Sequence, residues 1–394
     1  MVKRTILTYL FFTLISKFAI SFIAATYVVF LMSHGLDIFQ VGVVNATFYA
    51  TLLVCEIPTG AFADIFGRKK SCALSYFLLA LSMFVYGAST SFTGFVIAEI
   101  FGAIGGTFAN GAFDAWLKDK LDFHGFENNK MKSVFARKSQ ISQLASGFGA
   151  LVGAYLGTID LRLPWIAGGV IFLLGGIAVI LLLKEEYFER KSVSLKDSVL
   201  FTKNALRVGF KNKVIRFVAA MTLVQIITLQ APNMQWQPFF MSYGIEKSDL
   251  GYIYFGVSVA IVVGSFLSSW LLHRLKKDEK KFLAVSQIFM AAGMIVCCIP
   301  NLFVLSVFAL LFHEFARGLF APIKDDYINQ SIPEKSKERA TLLSIESIFH
   351  HIGGVIGLIA SGFIAKHLLI PNTWLIFGGF LVIATLLIFR NGKK

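Results

Sequence analysis

The apolar residues of this chain come in long blocks, many close to twenty residues, and that length restricts the fold more than anything else in the sequence. A hydrocarbon core about 30 Å thick takes roughly 20 apolar residues per helical span. Backbone polar groups inside lipid must be satisfied within the segment itself, which selects helices here. Blocks of this kind can be drawn at 6–32, 41–64, 71–88, 93–117, 133–158, 164–183, 214–241, 249–273, 282–300, 302–327, 340–366 and 373–390. Composition agrees: 15% of the residues are charged, where an ordinary soluble domain has about 25%. The expectation is an all-α polytopic membrane protein with twelve transmembrane helices.

The net charge of +14 would suggest a nucleic-acid partner in a soluble protein, but position argues otherwise. Arg162, Lys247 and Lys366 are the basic residues of the odd-numbered loops. The even-numbered loops and both ends hold nearly all the rest, including Arg68-Lys69-Lys70, Lys276-Lys277, Lys280-Lys281, Lys335, Lys337 and Arg339. That asymmetry is expected to place both termini in the cytoplasm and argues against a nucleic-acid partner. The first block runs from Ile6 to Met32, beyond the ~7–15 residues of a cleavable signal, so it is expected to stay as a helix. Cys55, Cys72, Cys297 and Cys298 have no metal-ligand spacing and read as small buried residues. No metal, cofactor or catalytic constellation is expected.

The longest loop, 184–213, divides the chain into an expected bundle at 1–185, a linker at 186–213 and a second bundle at 214–394. In the linker, Ser194 and Asp197 have capping-box spacing, and Leu195, Val199, Leu206 and Phe210 lie among lysines as on an interfacial helix. The halves echo one another. Gly149 and Gly153 in span 5, like Gly353 and Gly357 in span 11, are four apart and lie on one helix face, where backbones can approach closely. A parallel repeat of this kind suits two bundles that rock against each other.

Ionisable side chains in hydrocarbon are costly, so each is a functional candidate. Lys17, Glu56, Glu99, Asp114, Glu314, Arg317, Glu346, His350 and His351 all fall in spans 1, 2, 4, 10 and 11, while spans 3, 6, 9 and 12 have uncharged cores. The segregation implies a polar pathway lined by the first group, with the second facing lipid. Lys17 and Glu314 lie near mid-span, and Arg317 shares a face with Glu314. Lys17, Glu314 and Arg317 are therefore substrate-cavity candidates, joined by Gln225 and Gln230 from span 7. Glu56, Glu99 and Glu346 are the proton-carrier candidates, and Asp114 reads as a gate or cap. His350 and His351 point different ways on a helix, against a joint metal site.

The segment Glu56-Ile57-Pro58-Thr59-Gly60-Ala61-Phe62-Ala63-Asp64-Ile65-Phe66-Gly67-Arg68-Lys69-Lys70 closes span 2. It resembles the G-x-x-x-D-x-x-G-[RK]-[RK] signature of the major facilitator superfamily, matched at Gly60, Asp64, Gly67, Arg68 and Lys69. The resemblance covers essentially the whole chain and implies two pseudo-symmetric six-helix bundles. It also implies a cytoplasmic gate in which Asp64 accepts bonds from a neighbouring helix start and Arg68 bridges to Asp114 or Asp119. The second half lacks a good copy, since Ser269 to Arg274 has neither the acid nor the turn glycine. Span 4 carries Glu99 and lacks the arginine of drug exporters. Span 5 has Gly149-Ala150 and Gly153-Ala154 where antiporters show G-P-x-x-G-G. The expected function is secondary active transport by alternating access, not enzymatic catalysis. The favoured form is proton-coupled export of an amphipathic or drug-like compound by a monomer, resembling bacterial drug/proton antiporters. The alternative is proton-coupled import of a polar or anionic organic solute.

Overall fold

A computed structural model describes residues 2–125, 131–186, 188, 211–275, 278–299, 302–332 and 337–392. Most of the linker, including Ser194 to Asp197 and the expected interfacial helix, lies outside the described residues. Within them the chain is helical and shows no strand: α1 (Val2–Ser21), α2 (Tyr27–Ser33), α3 (Ile38–Phe66), α4 (Arg68–Ala88), α5 (Phe92–Ala109), α6 (Ala112–Phe123), α7 (Met131–Ile159), α8 (Leu163–Leu182), α9 (Lys213–Met241), α10 (Lys247–Leu275), α11 (Glu279–Cys297), α12 (Phe303–Ser331) and α13 (Lys337–Gly392).

Among the described residues ten stretches are long and apolar enough to cross a membrane, and two physical details account for the difference from twelve. The stretch Ile345–Gly392 has 48 residues, about twice what one crossing needs at ~1.5 Å per residue. It is two spans, bent at Leu369, where φ is 69°. The other detail is α7, a helix of 29 residues whose apolar part is diluted by Ser142, Gln143, Ser146 and Thr158. Two spans are also broken. Span 1 is interrupted by turns at 22–26 between α1 and α2, and span 4 by Asn110-Gly111, with Gly111 at φ 71°.

Packing divides the chain into two compact units: Met1–Phe30 with Thr47–Val199 and Lys247–Phe255, and Leu31–Ala46 with Leu200–Glu246 and Gly256–Lys394. In the first, α7 packs on α1, and α4 packs on α5 and α8. In the second, α9 packs on α13, and α11 packs on α12 and α13. The repeat seen in the glycines has a packing basis. A Cβ on Gly149 would come within 2.6 Å of the Phe18 carbonyl, and one on Gly153 would collide with the backbone of Phe22. Gly353 meets Leu223 and Ile226, and Gly357 meets the backbone of Ile227. Span 5 therefore rests on span 1 as span 11 rests on span 7.

Spans 6 and 12 leave apolar stripes outward, Ile166, Val170, Leu173, Ile177 and Ile180 on one and Ile376, Phe380, Ile383 and Leu387 on the other. Span 3 is more enclosed and buries Tyr76, Met83 and Tyr86.

Candidate functional site

The charged candidates within the spans of the first unit sort into four places. Near one end of the α5 side, Glu99 is buried, and its Oε1 accepts hydrogen bonds from the hydroxyls of Tyr27 at 2.7 Å and Tyr86 at 2.6 Å. Tyr86 stacks on the buried Trp165 with ring centroids 4.0 Å apart. These are neutral partners, and no salt bridge to Glu99 occurs among the described residues. Farther along span 4, Glu56 Oε1 accepts from Asn110 Nδ2 at 2.9 Å, so a carboxylate of α3 touches the break between α5 and α6. Beyond the break, Asp114 in the first turn of α6 holds Lys138 of α7 at 2.6 Å and accepts from the Tyr9 hydroxyl at 2.5 Å. Lys17 follows Tyr9 and Thr13 at successive four-residue steps along α1, and is exposed.

The Gly60–Lys70 segment forms a local structure of its own. Arg68 turns back on Asp64 at 2.6 Å, one helical turn away. Among the described residues the expected bridge from Arg68 to Asp114 or Asp119 is not made, and Asp114 holds Lys138 instead. The free N–H groups that open α4 are met by Glu185: Arg68 N donates to Oε1 at 2.6 Å and Lys69 N to Oε2 at 3.1 Å. A carboxylate at a helix N-terminus is favoured both by the orphan donors and by the dipole. Gly67 sits at φ 99°, which a glycine adopts without steric cost. A Cβ on Gly60 would meet nothing within 4 Å, so among the described residues no other helix approaches closely there.

In the second unit, buried Glu314 pairs with Arg317 at 3.0 Å, and Arg317 also donates to Asn233 Oδ1 at 3.2 Å. Lys324 on α12 holds Glu346 on α13 at 2.9 Å. Gln225 is buried and turned toward Met290 of α11 at 3.5 Å, and Gln230 is buried where α9 meets Gly357. The amide that meets a charged side chain on α9 is therefore Asn233. Gln235 of α9 joins the two spans of α13, donating to the Ser361 carbonyl and accepting from the Trp374 indole, each at 3.0 Å.

Comparison with known proteins settles the family. A family model described as Major Facilitator Superfamily matches residues 9–278 and 226–394. The chain belongs to the major facilitator superfamily. As a member it is a multi-pass membrane transporter and not an enzyme. An uncharacterised transporter of this type, YxaM of Bacillus subtilis (strain 168), is 23% identical over 388 residues, covering 95% of this chain and 93% of that one. Multidrug resistance protein 2 of the same organism is 23% identical over 361 residues, covering 88% and 86%. The crystal structure of nucleoside transporter NupG is similar in fold, with a TM-score of 0.76 at 15% identity over 99% of both chains.

Several contacts of this facilitator escape a reading of the sequence alone. Lys138, Asn233, Lys324 and Glu185 acquire their roles from partners at least 22 residues away. The Asn110-Gly111 break did have a local signal, since Asn-Gly is a turn dipeptide even inside an apolar run.

Proposed function

We propose that this facilitator is a proton-coupled secondary transporter that works by alternating access, with Glu99 as the proton site and export of an amphipathic solute as its direction. The observation that carries the proton assignment is the balance of charge. Glu314, Glu346, Asp64 and Asp114 each face a cation. Glu99 is buried with phenolic hydroxyls around it, so a proton can change its charge without breaking an ion pair. The two tyrosines are donors to the ionised form and can turn away as acceptors for the protonated one. Glu56, beside the span-4 break, is a second relay point. The likeness to Multidrug resistance protein 2 supports export. The alternating pattern of Lys and Arg supports cytoplasmic termini.

Import of an anionic solute by symport is the second reading, favoured by the exposed Lys17 on α1. Both are tested in vesicles that hold a pH dye, under an imposed proton gradient. Opposed proton and solute flow is expected for export, and parallel flow would replace it with symport. Glu99→Gln is expected to lose gradient-driven accumulation while keeping solute exchange. Undiminished accumulation in that variant would remove Glu99 from the proton path.

A further inference from the structure

We infer that Lys17 is a recognition site for the negative head of a monoanionic amphiphile, and that the transported solute carries such a head. The inference rests on the transport reading above for its claim about the solute, and on geometry for the site. Lys17 lies well inside the apolar block of span 1 and is exposed. It takes part in no salt bridge or hydrogen bond among the described residues. The charge that acts on it from α7 is the like charge of Lys138. Lys138 is itself balanced by Asp114, which it holds with both carboxylate oxygens at 2.6 and 2.8 Å.

Among the described residues, this α1–α7 face therefore carries one positive charge that no acid pairs with. An ammonium group in such a place is costly unless a counter-charge arrives. A ligand with a single negative charge would balance it, whereas a dianion would need Lys138 to release Asp114. The neighbouring stripe of α1 supplies the apolar half of the site, since Phe11 and Leu14 are both exposed. Hydroxyls on the facing helices, Ser21 and Ser146 at 2.8 Å from each other, add polar partners farther along the same face.

The test uses three probes of one chain length: hexanesulfonate, hexyltrimethylammonium and hexanamide. The sulfonate and the ammonium keep their charge at every working pH, so neutral forms do not leak across the bilayer. Radiolabelled binding to the full-length protein in lipid nanodiscs, with empty discs subtracted, is expected to favour the sulfonate. Lys17→Gln is expected to weaken sulfonate binding about tenfold or more, the scale of one lost charge-assisted contact. It should leave the amide unchanged, and Lys17→Arg should restore the sulfonate. Absent sulfonate binding, equal binding of ammonium and sulfonate, or an indifferent Lys17→Gln would each overturn the site. If Lys17→Gln fails to fold, the wild-type preference among the probes still decides. Vesicle flux separates the two readings. Sulfonate that binds at Lys17 but never moves with protons sinks the proton-coupled transport. Proton-coupled movement of amide or ammonium without sulfonate binding sinks the anion site alone.

Discussion

The carboxylate of Glu185 does for α4 what local sequence does for most helices. Residue 67 is a glycine, which cannot cap with a side chain, so the donors of Arg68 and Lys69 take an acid that lies 117 and 116 residues away. A Cβ on Gly67 would meet Glu185 Oε2 at 2.6 Å, so the glycine also keeps the space that the acid fills. Removing the side chain in Glu185→Ala should destabilise α4 by about 1 kcal/mol, the usual worth of a helix cap. Hydrogen exchange at the amides of Arg68 and Lys69 should quicken, with little change at the middle of the helix. Unchanged exchange at those two amides would mean that water caps the helix equally well.

The sequence made Asp64 and Arg68 legible as a functional turn, because the acid, both glycines and the cations recur at a known spacing. It did not reveal their partners. Which acid reaches the start of α4 depends on where span 6 ends in space, and no local pattern encodes that.

At the scale of helices, two glycines of the same chain should behave oppositely. Gly153→Val would drive a branched side chain into the backbone of Phe22, and neither helix can yield without losing the α1–α7 contact. Overpacking of this kind costs about 1–3 kcal/mol or more, so a lower unfolding temperature in detergent is expected. Gly60→Ala meets open space on a helical backbone and should hold stability or raise it by up to about 1 kcal/mol. If transport nevertheless falls in Gly60→Ala, the loss belongs to a conformation in which α3 is approached more closely. A destabilised Gly60→Ala would contradict the packing described above.

Helix existence was legible because twenty-residue apolar runs leave little alternative. Helix interruptions were harder. The turn at Asn110-Gly111 carried a dipeptide signal, while the break at 22–26 has none, since Phe22 to Thr26 contains no glycine or proline. That break coincides with the place where Gly149 and Gly153 bring α7 onto α1, so its cause is tertiary.

On the scale of the whole molecule, the segment Leu31–Ala46 packs with the unit that also contains span 11. Gly42 lets the Leu358 carbonyl approach within 2.8 Å of a would-be Cβ, and Gly362 does the same for the backbone of Phe39. Asp37 caps the start of α3, with Gln40 N donating to Oδ1 at 2.8 Å and Asp37 N to Gln40 Oε1 at 3.0 Å, and it pairs with Lys366 at 2.8 Å. Partial burial alone would raise the Asp37 carboxyl, but the Lys366 ammonium and the amides of Gln40 and Phe39 outweigh it and hold it below the ordinary aspartate range.

A carboxyl depressed in the folded state adds stability at pH above its unfolded value, about 4. That contribution is lost only as pH falls through the lower folded value. Acidification from about pH 7.5 to about pH 5.5, both above the unfolded value of about 4, should therefore leave the Asp37–Lys366 contact intact. A further cysteine placed by Phe39→Cys, scored by peptide mapping apart from Cys55, Cys72, Cys297 and Cys298, should react with maleimide at the same rate at both pH values, after correction for thiolate fraction. Lys366→Gln should raise that rate at both. A rate that climbs on acidification in the otherwise native chain would assign the response to a group other than Asp37. Equal rates would leave the proposed proton coupling to the acids within the spans.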